Sequence, residues 1–455
     1  MFAGIKKLAP RIIMTNFVFI LLAQTFITKD AEAIPAFARQ VGQPCTACHA
    51  QHFPTLNGFG RMFKAQGYTM AGTQEMVEGD GLSIPSALNA AIVGTLALQD
   101  STNSAKKAGF PASLSIYFGG RVSPNSGFLM EMPFEGASYT DASGNEQEVE
   151  PAAGPGIAQL GSLKWNYVQD VMGVTAGLNA FSTAMAGPAY GYELLSTGAM
   201  GMNVAQPGAN AMGAIGLHME HGATLMGAVM DDMAGGNMNM NMNMAGTATG
   251  FGTSAQNSMG YVYYSAYFGA QSMDYVESPE FAHYVRAVLT PMVAGWDLGL
   301  GVQLYRGGWS VQNGTKYKAE ATTFDFQAQG MVVGLPVGVY ASYATAPKSA
   351  SLADLNWYNF STRGDNESFG VLVDAEMMRK LSVFVGYTSA TYFVDALNAD
   401  STMVMTSMSR DYNNTMTQVG ANYLLAPNKR LGLKVASIGG DLGDTVTAID
   451  LMVGY

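Results

Sequence analysis

From about Ser86 to Tyr455 the chain alternates apolar residues with small or polar ones at a period of two. Leu114, Ile116, Phe118 and Gly120 alternate with Ser113, Ser115, Tyr117 and Gly119. Trp296, Leu298, Leu300, Val302 and Leu304 alternate with Asp297, Gly299, Gly301, Gln303 and Tyr305, and Phe324, Phe326 and Ala328 with Asp325, Gln327 and Gln329. Successive side chains of a strand point to opposite faces, so each run has one apolar face and one that is glycine-rich or polar. Similar runs span residues 171–181, 259–268, 335–343, 369–377, 381–387 and 417–424. The longest helical membrane candidate, residues 331–344, is short and interrupted by Gly334, Pro336 and Gly338. A chain of this kind can enter a bilayer only as a closed barrel.

Charge supports that reading. Only 13% of the 455 residues are charged, although 48% are apolar. Globular domains carry nearer a quarter charged residues, and a soluble β-sandwich would need that surface charge. Disorder is excluded, because disordered chains are rich in charge and poor in aromatics. A net charge of −11 speaks against nucleic acid as a partner. Two cysteines are too few for a disulfide framework. The expected fold is mainly β, a transmembrane antiparallel barrel over residues 81–455. At roughly 23 residues per strand and connection this gives about sixteen strands. The expected long connections are residues 138–156, 187–210, 234–256, 312–319, 347–367 and 397–414. The last strand places Ile449, Leu451, Val453 and Tyr455 on one face and ends on an aromatic residue, as terminal strands of outer-membrane barrels do.

The N-terminus reads as an export signal over residues 1–33. Lys6, Lys7 and Arg11 precede an apolar stretch, and Ala31-Glu32-Ala33 supplies a small-x-small cleavage pattern. A retained anchor is the alternative.

Both cysteines fall in Cys45-Thr46-Ala47-Cys48-His49, the C-x-x-C-H pattern of c-type haem attachment. Two thiols on adjacent turns can add to the two haem vinyl groups, and His49 offers an imidazole to the iron. The alternatives, a redox dithiol or half a zinc site, lack further thiols. One covalently attached haem c is expected. A helix should follow, with Pro54 in its first turn, Leu56, Phe59 and Phe63 along one side and Gly67 at its end. Phe59 and Phe63 are candidates to cover a haem face, and Met70 is the candidate distal ligand, with Met62 and Met76 as rivals. His52 lies too close to His49 to reach the opposite face of the same iron.

Residues 34–70 then carry a resemblance. FARQ before the haem motif, in Ile34-Pro-Ala-Phe-Ala-Arg-Gln, and FGRMFKAQGY after it, residues 59–68, together resemble the fused monohaem cytochrome–porins, outer-membrane iron(II) oxidases of Gram-negative bacteria. Val41 stands where that pattern carries Thr. The resemblance covers about 37 residues; the rest of the chain matches in plan. It implies a small α-helical cytochrome domain, residues 34–80, that takes electrons from extracellular Fe(II); because one haem must serve across a hydrocarbon layer about 30 Å thick, that domain is expected to plug the barrel. It also implies a periplasmic c-type cytochrome or blue-copper protein as acceptor. Two other readings stay open: a porin or transport barrel whose haem plug gates or anchors it without oxidising iron, and a soluble periplasmic cytochrome with an unrelated β domain.

Three features stand apart. Residues 237–244, alternating Asn and Met, fit a loop or strand rim better than a Cu(I) patch. His218 and His221 point to opposite sides of a strand, which argues against a zinc site. Glu131, Asp297, Asp325 and Asp374 fall on the inward register, where carboxylates either attract Fe(II) or are solvated lumen charges.

Overall fold

The computed structural model describes residues 36–50, 55–102, 106–133, 138–140, 146–148, 162–183, 187–197, 248–268, 280–312, 315–356, 358–359, 361–394, 410–426, 428–441 and 443–455. The signal reading and the runs at 218–221 and 237–244 fall outside these residues, as do His52 and Pro54.

Three short helices come first: α1 (Ala36–Val41), α2 (Cys45–Cys48) and α3 (Gly58–Ala65). A hairpin of β1 (Met76–Gly79) and β2 (Leu82–Pro85) leads into the barrel. Its wall begins with β3 (Ala90–Ser101), β4 (Lys107–Ser123) and β5 (Ser126–Pro133). A small pair, β6 (Ser138–Thr140) and β7 (Glu146–Glu148), interrupts the next connection. The wall resumes with β8 (Ser162–Val171), β9 (Val174–Thr183), β10 (Ala248–Asn257), β11 (Gly260–Phe268) and β12 (Ala282–Leu289). After the short β13 (Met292–Val293) come β14 (Trp296–Gln312), β15 (Thr315–Val332) and β16 (Leu335–Ala346). The short β17 (Asp354–Asn356) lies parallel to the far end of β15. The wall is completed by β18 (Asn366–Met378), β19 (Leu381–Val394), β20 (Arg410–Ala426), β21 (Lys429–Gly440) and β22 (Asp444–Gly454). β22 pairs with β3, so the sheet closes. With β13 and β17 counted as short additions, sixteen antiparallel strands form the barrel. Tyr455 and Ile92 exchange two backbone hydrogen bonds at the seam, of 2.7 and 2.8 Å.

Alternation decides which face points where. On β14 and β15, Leu300 and Phe324 are 48% and 54% exposed, whereas Gln303 and Gln327 are buried. The apolar register therefore faces outward and the polar register faces a filled interior, the inverse of a soluble β-sandwich. All four carboxylates expected on the inward register lie there: Glu131 beside Tyr117, Asp297 and Asp325 in the register of Gln303, and Asp374 in that of buried Leu372.

Connections differ at the two ends. At the end shared by the start of β3 and the end of β22 the turns are short, and three of them put φ above zero at two successive residues. These are Met172–Gly173, Ala294–Gly295 and Val333–Gly334, each closing a two-residue hairpin. Such turns match the twist of the strands but favour Asn or Asp before the glycine. A left-handed conformation costs a residue with a Cβ roughly 1–2 kcal/mol, and β-branched Val333 (φ 50°) is an unusual occupant.

Several sequence boundaries move. The run at 171–181 is not one strand, because the Met172–Gly173 turn divides it. Residues 312–319 are not a long connection: β14 runs to Gln312 and β15 starts at Thr315. β10 begins at Ala248 and β20 at Arg410, inside segments expected to be loops. At 312–319, 248 and 410 the reason is that polar strand ends beyond the apolar band resemble loops, whereas at 171–181 the turn is itself apolar and so reads as strand.

Candidate functional site

The two cysteines lie on one helical turn. α2 holds Cys45 and Cys48, both reduced and half-buried, and His49 is its C-cap, its N–H donating to the Cys45 carbonyl at 3.0 Å. His49 also bridges Leu56 in a short antiparallel contact. Burial pushes both thiols above their ordinary pKa, and for Cys48 the neighbouring Cys45 adds to the effect. Asn57 joins this turn to α3: its side chain accepts from Gly60 N–H and donates to the Ala47 carbonyl, both at 3.0 Å. That cap sets the start of α3 at Gly58, so Leu56 precedes the helix instead of belonging to its apolar stripe. Gly60 lies against the Cys48 carbonyl so closely that a Cβ there would overlap it. Gly67 and Tyr68, both at φ 65°, turn the chain back after α3.

The candidates next to the motif separate. Phe63 is buried in a small core with Val41 and Tyr68, edge-on to Phe37 and Tyr68 at 5.2 and 5.7 Å. Met70 and Leu129 of β5 both pack against that core. Phe59 is half-buried, Met62 is exposed and Met76 lies on β1.

The helical segment rests against the inward face of the wall near the short-turn end. Arg61 of α3 forms an ion pair with Asp297 and donates to Gln329 at 2.9 Å; Gln329 in turn donates to the Leu56 carbonyl at 3.1 Å. Across the lumen Arg121 donates to the Thr69 carbonyl at 2.8 Å, and its backbone N–H to Gln40 at 3.1 Å. Gln40, fully buried, donates to the carbonyls of Tyr68 and Met70 at 2.7 and 2.8 Å. Gly127 of β5 admits the Gly67 carbonyl where a side chain would block it. The segment's carbonyls are thus satisfied by wall residues at Leu56 and Thr69 and by its own Gln40 at Tyr68 and Met70, as buried backbone requires.

A second inward element was not foreseen. Residues 187–197, expected to be part of an outer connection, fold into the lumen and are largely buried. Glu193 there accepts from Arg286 at 2.9 Å and from the Tyr261 hydroxyl at 2.6 Å. Arg286 also grips Asp325 through two bonds of 2.5 and 2.9 Å, and the Thr197 hydroxyl reaches Asp325 at 2.6 Å. Tyr192, Tyr263, Tyr284, Tyr305 and Tyr358 follow one another at ring spacings of 4.8–5.9 Å. Tyr263, Tyr284 and Tyr305 lie on the inward register of β11, β12 and β14, whereas Tyr192 and Tyr358 come from connecting segments. Of the four inward carboxylates, Asp325 and Asp297 are bound to arginines and Glu131 accepts from Tyr117 at 2.6 Å. Among the described residues, no three acidic, histidine or cysteine side chains gather to hold a metal ion.

No family model and no curated protein matches the chain. Similar solved structures are outer-membrane barrels. The Vibrio cholerae outer-membrane protein OmpT is 10% identical, with 84% of this chain and 100% of that one covered at a TM-score of 0.41. Salmonella typhi OmpF, solved in complex with daunomycin, is 9% identical over 84% and 100%, at 0.44. Pseudomonas putida OprB is 11% identical over 81% and 94%, at 0.47. At these values the likeness carries nothing about activity; the chain's own strand pairing is what makes it a closed, sixteen-stranded antiparallel barrel with an apolar outer face.

Proposed function

We propose that this protein is an outer-membrane electron-transfer barrel in which residues 34–80 form a haem-bearing plug, residues 1–33 being the export signal. The observation that carries the reading is the placement of Cys45, Cys48 and His49 on one turn of a segment that wall residues hold inside the lumen. Two reduced thiols three residues apart and an adjacent imidazole fit a covalently attached haem c, with Cys45 and Cys48 as thioether carriers and His49 as proximal ligand. Bound there, haem supplies a one-electron centre whose potential depends on its axial ligands and its surroundings. Met70 is the proposed distal ligand, with Met62 and Met76 as alternatives and Phe59 and Phe63 as neighbours.

The membrane reading rests on the outward apolar register. Strands of these lengths with apolar side chains facing out suit a hydrocarbon layer about 30 Å thick. Short turns then mark the periplasmic end and long connections the extracellular one. The chain's own residues position the plug. Arg61, Gln329 and Asp297 fix α3 on one side, and Arg121 and Gln40 fix the α1 side on the other. Residues 187–197 lie folded against the inward wall beside it, largely buried.

The resemblance of residues 34–70 makes extracellular Fe(II) the proposed donor. Each Fe(II) gives up one electron and leaves as Fe(III); the electron passes to a soluble c-type cytochrome or blue-copper protein in the periplasm. Stopped-flow mixing of the detergent-purified protein with Fe(II) tests this. Reduction of the haem band is expected; a haem that stays oxidised with Fe(II) yet responds to dithionite excludes the activity. Met70→Ala should lower the haem potential, and an unchanged spectrum and potential would clear Met70 as ligand. The closed barrel itself favours a second reading, a transport barrel with a gating plug, which predicts passive solute flux through reconstituted vesicles.

A further inference from the structure

The helical segment, the wall and residues 187–197 meet at a pair of lysines. Lys64 of α3 and Lys164 of β8 bring their side-chain nitrogens within hydrogen-bonding reach of one another. Lys164 is fully buried, and its ammonium donates to the Tyr190 carbonyl at 3.2 Å. The same ammonium lies over the rings of Tyr190 and Tyr68, at 4.4 and 5.6 Å. Lys64 is half-buried, and beyond Lys164 it has no polar partner among the described residues.

Two cations so placed repel each other, and removing them from water is costly unless anions match them. Arg61, Arg286 and Arg430 in the same lumen are matched, by Asp297, by Glu193 with Asp325, and by Asp450. Neither lysine forms an ion pair among the described residues. Glu193 is the carboxylate that faces both, but Arg286, the Tyr261 hydroxyl and the Leu195 N–H occupy its oxygens. Glu131, on the strand paired with β8, accepts from Tyr117 instead. Beside Lys164 the hydroxyls of Ser162 and Tyr190 are buried without a well-formed hydrogen bond. Two ammonium groups and spare hydroxyls with no bound acceptor are the donor set of a carboxylate site, where charge-assisted hydrogen bonds are strongest.

We propose that Lys64 and Lys164 bind a carboxylate between their ammonium groups. The haem propionates are the source that the fold favours. Gly60 and Lys64 stand four residues apart and so share a face of α3, and on that face Gly60 abuts the Cys48 carbonyl. A haem attached by its vinyl edge at Cys45 and Cys48 carries both propionates on the opposite edge, and Lys64 stands one helical turn beyond the cysteine contact. A free organic acid is the other source with the same chemistry. The source therefore rests on the haem reading, whereas the site does not.

Lys64→Met keeps a long side chain and a good helix former but removes one ammonium, and Lys64→Arg restores the charge. In the detergent-purified full chain, resonance Raman spectra read the propionate bending band of the haem, and limited proteolysis reads release of residues 36–73. With the propionate held, Lys64→Met moves that band, Lys64→Arg returns it, and added acetate changes nothing. Cleavage of Lys64→Met should then be roughly tenfold faster than that of the wild type, because a hydrogen bond to a charged group is lost. A band indifferent to Lys64→Met, with acetate slowing cleavage about threefold in the wild type and not in the variant, assigns the site to a free carboxylate. A lysine pair that merely shares a proton predicts the reverse. Lys64→Met then relieves the repulsion and slows cleavage or leaves it unchanged, the band stays and acetate has no effect; that result overturns the proposal. Haem content is read separately from its absorption band. A chain without haem refutes the cofactor, and the acetate response alone then decides the site.

Discussion

Two elements fill the same lumen and are held in opposite ways. Residues 187–197 are locked to the wall by charges that solvent does not reach: the side chains of Arg286, Glu193 and Asp325 are at most 1% exposed. The helical segment that bears the cysteines depends on hydrogen bonds to its backbone carbonyls and on one ion pair, Arg61–Asp297, whose carboxylate is 25% exposed. A buried ion triad is costly to break, because its charges cannot find water. Hydrogen bonds to neutral carbonyls separate more cheaply. The inward loop is thus part of the barrel, whereas the cysteine-bearing segment is a docked piece.

The largest effect expected from this contrast is on the loop. Arg286→Met should cost about 3–5 kcal/mol by stranding two buried carboxylates, read as a lower denaturant midpoint for the refolded barrel. Adding Glu193→Gln and Asp325→Asn should recover most of that loss. A single-variant cost below about 1 kcal/mol would erase the distinction between the two elements.

Gly60→Val should act on the segment alone. Its side chain meets the Cys48 carbonyl, which prises α3 from α2 at roughly 1–3 kcal/mol. Limited proteolysis should then cut within residues 36–73 while the barrel still migrates as a folded species on unheated gels. Loss of the folded barrel band would show that the segment is structural to the wall. Arg61→Ala should be milder, about 1–2 kcal/mol, because one partner is partly solvated. Faster cleavage of the segment with an unchanged barrel midpoint is the expected result.

The smallest effect concerns the rim and has the opposite sign. Val333→Asn relieves a left-handed β-branched residue and should stabilise the barrel by roughly 1 kcal/mol, seen as a raised thermal midpoint. A lower midpoint would mean that Val333 has a packing role its exposure hides.

Much of the wall was legible in advance because a barrel strand is nearly all surface. Leu300 faces outward and Gln303 inward by parity alone, with no tertiary information required. The closeness of Cys45, Cys48 and His49 was legible for a different reason: their spacing is local. Less visible were relations between distant residues. Nothing in Arg61 announces Asp297, 236 positions away, and nothing in Glu193 announces Arg286. The start of α3 was missed because Asn57 caps it through contacts with Ala47 and Gly60, a geometry that the Leu56, Phe59 and Phe63 stripe conceals.

The sequence by itself determined the class of the molecule. Period-two alternation at low charge density admits one membrane solution, and both cysteines of the sequence fall in one five-residue motif. Only the tertiary structure decided what occupies the lumen and how firmly. Inward parity says that Asp297, Asp325 and Tyr305 face the interior. Whether they meet water, iron or protein depends on which chain segments fold in beside them. Closing the barrel brings Arg61 and Arg286 to two of those carboxylates and stacks the tyrosines, because residues far apart in the chain share one small enclosed volume.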